Sequence, residues 1–265
     1  MDRREMINEF YTGYNEDCRL FKNRRGQLEL LTTMHYIHKV LPEPGDVLEV
    51  GAGTGRYSIA LAKEGHRVTA VELAERNLDL LRQNAHDLGN LTAMQGDAID
   101  LSRLQDDSFD LTLLLGPMYH LYSKEDQLAA LREAVRVTKP GGYVLTAFLS
   151  VYAILTDNYL RGNLMAGLKE NFTEDWQVRH FQEQLFTGFE IPEFEALFRE
   201  LPVSQITVAA ANGILELAEG RTDFSMSDEE FRAFAAYHLH FCETRELLGS
   251  SSHLLHLCRV NKPSG

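Results

Sequence analysis

Residues 47–56 read Val47-Leu48-Glu49-Val50-Gly51-Ala52-Gly53-Thr54-Gly55-Arg56. Four residues of strand character run into three glycines in five positions, and a helical pattern follows. A strand, a glycine turn and a helix in this order bring backbone N–H groups to a ligand at the carboxyl end of the strand. Glycine permits the tight turn and lets the ligand approach the main chain. The spacing is G-x-G-x-G, and Arg56 stands where the dinucleotide fingerprint G-x-G-x-x-G needs its last glycine. A ligand smaller than a dinucleotide is the better match, and a nicotinamide-dependent dehydrogenase is the weakest enzymatic reading.

Outward from this loop the chain alternates strand and helix. Upstream, Pro42-Glu43-Pro44-Gly45-Asp46 breaks the pattern and separates a helical segment over 1–41 from a domain over 42–265. Downstream, a helix over 56–64, a strand over His66–Glu72, a helix over 74–88 and a strand over Leu91–Gln95 are expected. Phe109–Leu115 has the apolar density of a strand buried on both faces. A helix over about 124–137 starts at Ser123 as N-cap. Lys139-Pro140-Gly141-Gly142 is expected to end it, with Tyr143–Phe148 as a fifth strand. Residues 151–188 interrupt the rhythm. A helix over 191–200, a strand over Ser204–Ala209, a helical insertion over about 227–248 and a last strand over His253–Val260 follow. This alternation predicts an α/β fold with a doubly wound, mostly parallel sheet and helical insertions.

In the segment 1–41, Leu28, Leu30, Leu31, Met34, Ile37 and Leu41 recur at helical spacing, and Arg24-Arg25-Gly26 looks like a turn. Phe10, Tyr11, Tyr14, Arg19 and Arg24 suit a lid over a ligand or a helix packed on the sheet edge. Tyr152, Tyr159, Phe172, Trp176, Phe181 and Phe186 in the insert 151–188 suit an apolar or ring-bearing small molecule, or a dimer contact. Over 265 residues, 26 Lys and Arg stand against 39 Asp and Glu, a net charge of −13, which argues against a broad grip on nucleic acid. Cys18, Cys242 and Cys258 are odd in number and far apart, so a reducing compartment is expected rather than a disulfide framework. There is no signal peptide after Met1 and no run of about 18 apolar residues, so a cytoplasmic protein without a membrane partner is expected.

Two further signals follow the loop. Glu72 ends the second strand, where a carboxylate accepts both hydroxyls of a ribose. Gly96-Asp97-Ala98 places another carboxylate just past the third strand. Together with Leu48–Gly55, Phe109-Asp110-Leu111 and Lys139-Pro140-Gly141-Gly142, in this order, they make the chain resemble the class I S-adenosylmethionine-dependent methyltransferase family. The resemblance runs from about Val47 to Phe148 and resumes from about 190 to the last strand. It implies a Rossmann-like sheet of seven strands with an antiparallel last strand, and S-adenosyl-L-methionine as cofactor. It further implies that Glu49, Gly51, Ala52, Gly53, Thr54 and Gly55 hold the methionine and ribose part. Glu72 with Leu73 would hold the ribose hydroxyls, Asp97 with Ala98 the adenine, and Leu115 with Gly116 would border the sulfonium.

A sulfonium already activates its methyl group, so the protein need only align a nucleophile and exclude water. Gly116-Pro117-Met118-Tyr119-His120-Leu121 follows the fourth strand, at the position that faces the methyl group in this family. It lacks the Asn/Asp-Pro-Pro-aromatic motif of the enzymes that methylate base amino groups. Tyr119 and His120 are the catalytic candidates, for orienting or deprotonating the acceptor. His238, His240, Cys242, His253, His256 and Cys258 include neither a His-Glu-x-x-His helix nor a close cysteine pair, so no metal is expected. His238 or His240 remains a candidate for pocket lining, and the strand holding His253 and His256 reads as structural. The expected activity is methyl transfer to a small-molecule acceptor, with a substrate cap built from 151–188 and 227–248 and a homodimer as a candidate assembly. RNA or protein methylation and a non-catalytic cofactor sensor are the alternatives.

Overall fold

The computed structural model describes residues 2–41, 43–160, 162–181 and 185–263. Pro42 of the expected breaker, and residues 161 and 182–184 of the insert, lie outside these. The chain opens with α1 (Arg3–Gly13), which starts at a capping box between Asp2 and Glu5. A short turn at Glu16–Cys18 leads to α2 (Arg24–Val40). Arg24-Arg25-Gly26 is the first turn of that helix rather than a separate turn, because the Asn23 side chain accepts from Gly26 N at 3.0 Å and caps it. Glycine is needed there, since a Cβ would lie 2.6 Å from the Arg19 carbonyl oxygen.

Seven strands follow: β1 (Asp46–Val50), β2 (Arg67–Glu72), β3 (Leu91–Gln95), β4 (Phe109–Leu114), β5 (Thr138–Leu149), β6 (Val203–Ala210) and β7 (His253–Val260). Their order in the sheet is β3-β2-β1-β4-β5-β7-β6. The pairs from β3 to β5 are parallel, and β7 is antiparallel to both β5 and β6. This is the doubly wound, Rossmann-like arrangement, with the antiparallel last strand. The helices α3 (Arg56–Lys63), α4 (Glu75–Asn84) and α5 (Lys124–Val137) cover the sheet between strands, and Ser123 caps α5 by accepting from Asp126 N at 3.1 Å. The core lies along the central strands: Val47, Leu48, Leu111, Leu113, Leu114, Val144 and Leu145 are buried, which explains their unbroken apolar runs.

Lys139-Pro140-Gly141-Gly142 does not separate helix from strand. It is part of β5, where the register with β4 shifts between Phe109 and Leu111. Lys139 Nζ reaches Asp46 at 3.1 Å and Asp110 at 2.9 Å, and a Cβ on Gly142 would meet the Asp110 carbonyl at 2.8 Å. Proline and paired glycines thus serve a bulge that brings backbones close.

After β5 come α6 (Val151–Ile154), a wide turn over Leu155–Tyr159, α7 (Leu164–Asn171) and α8 (Ile191–Ala196). Between β6 and β7 lie α9 (Leu215–Glu219), α10 (Asp228–Phe241) and α11 (Arg245–Leu248). Cys18 is exposed, Cys242 and Cys258 are buried, and all three are free thiols. Among the described residues no helix is long and apolar enough to cross a membrane.

Candidate active site

β1 lies between β2 and β4, so its carboxyl end opens at the point where strand order reverses, the usual crevice of a doubly wound sheet. Gly51, Gly53 and Gly55 all have positive φ, at 79°, 55° and 88°. Gly51 N donates to Val71 O at 2.8 Å, which ties the loop to β2. A Cβ on Gly51 would lie 2.6 Å from Pro117 Cδ and 2.7 Å from Leu115 O, so glycine is what lets the loops after β1 and β4 touch.

Two buried carboxyls brace this loop. Glu72 accepts from Gly53 N at 2.7 Å and from Ala74 N at 2.8 Å. Glu49 accepts the Ser58 hydroxyl. Burial pushes the carboxyl of Glu49 up to about 8 and that of Glu72 up to about 7. Thr54 presents a buried hydroxyl oxygen with no partner among the described residues. Buried carboxyls, an orphaned hydroxyl and an open glycine cradle are the donor and acceptor set that an amine- and hydroxyl-bearing cationic ligand would complete.

The loop opens into a cavity of about 640 Å³. Glu49, Gly51, Ala52, Gly53, Thr54, Glu72, Leu73, Asp97, Ala98, Leu115, Gly116, Tyr119 and His120 all line it. Gly55 does not; it is the left-handed N-cap of α3, and a Cβ there would press on Leu81 at 2.9 Å. Asn77 on α4 is a further buried lining residue that the motifs did not single out.

Residues between Arg3 and Thr33 form much of the opposite wall. Arg3 reaches Asp97 at 2.5 Å and Arg4 reaches it at 3.3 Å, so α1 lies over the carboxylate that the family resemblance assigns to adenine. Asp17 accepts from Arg56 through its carbonyl and carboxylate, and Glu16 sits over Gly53, where a Cβ would meet its Cγ at 3.4 Å. Arg19 is held by both oxygens of Glu29 at 2.9 Å and by Glu16 at 2.9 Å. Burial alone would raise the Glu29 carboxyl, but the Arg19 guanidinium outweighs it and lowers the group below the usual range. Arg24 is not on the wall; it turns outward to Asp228 and the face of Phe231.

His120 uses both ring nitrogens inside the protein. Nδ1 is 2.7 Å from Leu185 O, which can only accept, so Nδ1 carries the proton and Nε2 accepts from Tyr11 OH at 3.3 Å. Burial pushes its pKa down to about 4, so the ring is neutral. Tyr11 therefore occupies the second ring nitrogen of His120, a contact no motif signalled. Burial, with Glu29 adding to it, raises Tyr119 well above the phenol range, so its hydroxyl keeps its proton and acts as a donor rather than a base.

The insert 151–188 contributes Ala153, Ile154, Asp157, Asn158, Tyr159, Glu170, Leu185 and Phe186 to the wall. The second insert does not take the expected place: among the described residues nothing from 227–248 lines the cavity, and Ala211, Asn212 and Glu216 just before it do. α10 instead packs Phe231 and Ala235 against Leu28 of α2. His238 is buried on Ala210 O at 2.9 Å rather than in the pocket, and His240 is also off the wall. His256 is a core ring stacked on Phe198 at 3.9 Å. His253, read as part of a structural strand, does line the cavity.

A doubly wound sheet with a glycine cradle and acidic residues at its carboxyl edge has the layout of a ligand-binding crevice at a topological switch point. The comparisons with known proteins narrow it. Residues 47–142 match the family model described as a methyltransferase domain. The putative methyltransferase YqeM of Bacillus subtilis (strain 168) is 31% identical over 111 residues, 42% of this chain and 44% of that protein. The chain thus spans less than half the length of that relative. The demethylmenaquinone methyltransferase of Staphylococcus aureus (strain MRSA252) is 29% identical over 180 residues, 63% of this chain and 70% of that protein. The solved structure of a possible histamine N-methyltransferase from Thermotoga maritima shares the fold, with a TM-score of 0.60, 18% identity, and coverage of 98% of this chain and 100% of that one. Over residues 47–142 the chain is thus similar to the methyltransferase domain, and these sequence relatives and structural neighbours are themselves named as methyltransferases.

Proposed function

We propose that this protein transfers a methyl group from S-adenosylmethionine to a small-molecule acceptor. The carrying observation is the cavity of about 640 Å³ that is lined both by the glycine cradle and by Tyr11, Tyr119, His120 and Phe186, with residues between Arg3 and Thr33 forming one wall. A wall of this kind suits a molecule that enters whole and is then shielded from water, rather than a polymer lying across an open groove.

Glu49, Gly51, Ala52, Gly53 and Thr54 would hold the methionine end, Glu72 and Leu73 the ribose, and Asp97 and Ala98 the adenine. Leu115 and Gly116 would border the sulfonium, with Gly55 setting the loop from behind. The cofactor supplies an activated methyl group and a sulfur leaving group. His120 holds Tyr11 in place, and Tyr119 offers a hydroxyl that orients the acceptor. Alignment of this kind is worth roughly 7–11 kcal/mol of barrier. The net charge of −13 supports a small acceptor over nucleic acid.

Isothermal titration with S-adenosylmethionine and S-adenosylhomocysteine tests the cofactor assignment. Transfer of labelled methyl to a pooled small-molecule extract, set against RNA and protein fractions, tests the acceptor class. Label appearing only in the polymer fractions would overturn it.

A further inference from the structure

We propose that His253 is the general base that takes the proton from the attacking atom of the acceptor, held in its working tautomer by Ser252 and Glu216. This rests on the methyltransferase reading above.

His253 opens β7 opposite Leu149 of β5, and Ser150 N donates to Ser252 O at 2.9 Å, which pins the strand start at the carboxyl edge of the sheet. Its Nδ1 lies 2.9 Å from Ser252 Oγ, 3.2 Å from Asn212 Nδ2 and 3.9 Å from a Glu216 oxygen. The amide of Asn212 has one orientation, because the His253 N–H donates to its oxygen at 3.3 Å; the Ser251 hydroxyl lies between that oxygen at 2.8 Å and the His253 carbonyl at 2.7 Å. Its nitrogen then donates to Ser252 Oγ at 2.9 Å and to Glu216 at 3.2 Å, which uses both hydrogens. The Ser252 hydroxyl donates to Glu216. What completes the network is an Nδ1–H donating to Ser252 Oγ. The chain of donors ends on Glu216, a carboxylate also paired with Arg25 at 2.7 Å.

The opposite nitrogen, Nε2, is thereby left unprotonated, and it has no hydrogen-bond partner among the described residues. The ring meets Tyr119 edge-on, with centroids 5.7 Å apart, and both residues line the cavity. His120 offers no such nitrogen, since Leu185 and Tyr11 occupy both of its own. The charged groups around His253 are Glu216 from α9, Arg25 and Glu29 from α2, and Glu16 from the preceding turn; Glu16 and Glu29 share Arg19 and lie within electrostatic reach of the ring.

In the step, the attacking atom bonds to the methyl carbon as the carbon–sulfur bond breaks, and that electron pair stays on sulfur. The attacking atom's proton passes to Nε2, so the positive charge ends on the imidazolium. This geometry selects acceptors whose nucleophilic atom carries a proton, a hydroxyl or an N–H, over thioethers and tertiary amines.

The test uses the full chain. Imidazole 15N spectra, with His253 assigned from His253→Gln, are expected to show Nδ1–H and a bare Nε2, and this signature should weaken in Ser252→Ala and Glu216→Gln. His253→Asn keeps a donor toward Ser252 and removes the base. It should lower labelled methyl incorporation into the pooled extract by about 100-fold or more while S-adenosylhomocysteine affinity stays within about twofold. Added imidazole should partly restore His253→Ala, which a purely structural role would not allow. An Nε2–H tautomer in the wild type, or undiminished incorporation by His253→Asn, overturns the proposal. Failure of the wild type to bind S-adenosylhomocysteine overturns the methyltransferase reading instead, and binding without labelling overturns the small-molecule reading; in both cases the spectrum still decides the tautomer.

Discussion

Replacing Glu49 by Gln should make the cofactor-free protein less sensitive to pH. The carboxyl is raised by burial from 4.5 to about 8, with the Ser58 hydroxyl bond only partly opposing that rise. Between these values the folded chain holds a proton that the unfolded chain has released. Stability from this proton is complete below pH 4.5 and is lost as pH rises through the folded value. A shift of about 3.5 units at about 1.36 kcal/mol per unit corresponds to roughly 5 kcal/mol over the whole window, of which about 3 kcal/mol falls between about pH 5 and pH 7.5. Gln stays neutral throughout and its oxygen still accepts from Ser58. Glu72 titrates in the same direction but is common to both proteins, so it cancels in the comparison. Urea unfolding at several pH values should show the wild type falling more steeply than Glu49→Gln by about 3 kcal/mol over that range. Parallel curves, differing by less than about 0.5 kcal/mol in slope, would refute a neutral buried Glu49.

Three other outcomes follow from the same geometry. Gly51→Ala puts a side chain at φ 79° and a Cβ 2.6 Å from Pro117, so a loss of about 2–4 kcal/mol is expected in urea unfolding, and an unchanged midpoint would remove the close approach of the two loops. Glu72→Ala strips the acceptor from Gly53 N and Ala74 N and should weaken S-adenosylhomocysteine at least about tenfold by titration calorimetry; full-strength binding would take Glu72 out of the site. Arg3→Ala with Arg4→Ala frees Asp97 from two guanidinium groups, and a cofactor that uses this carboxylate should then bind about threefold or more tighter; weaker binding would mean that the arginines hold the ligand themselves.

The part of the molecule that matches the methyltransferase domain, residues 47–142, was legible because local chemistry and global placement agree there. Gly51-Ala52-Gly53 is a cradle wherever it follows a buried strand, and Glu72 and Asp97 sit at strand ends, where register puts them at the same edge. The rest depends on contacts between distant segments, which spacing does not encode. Arg3 meets Asp97 across 94 positions, and Tyr11 meets His120 across 109. His120 was visible as a titratable residue beside the fourth strand, yet the carbonyl of Leu185 that consumes its proton comes from an insert without a repeating pattern. His238 looked available on an amphipathic helix, but the facing Ala210 carbonyl could not be foreseen from α10 alone. The polar opening Ser251-Ser252-His253 of an otherwise apolar strand was the one trace of His253, and it gained meaning only once β7 was seen to start at the cavity.

The reversed direction of β7 has an evolutionary consequence. Strands that run with the sheet deliver their last residues to the cavity rim, whereas β7 delivers its first, so the whole stretch from Ala211 to Ser252 is returned to that rim. Together with the stretch after β5, it forms two replaceable cassettes stitched to the half of the sheet farthest from β1, β2 and β3. Mutations can therefore accumulate in these cassettes, and whole ones can be exchanged between relatives, without disturbing the glycine cradle. A chimera carrying a foreign 211–252 segment should retain its cofactor and acquire a different appetite for acceptors.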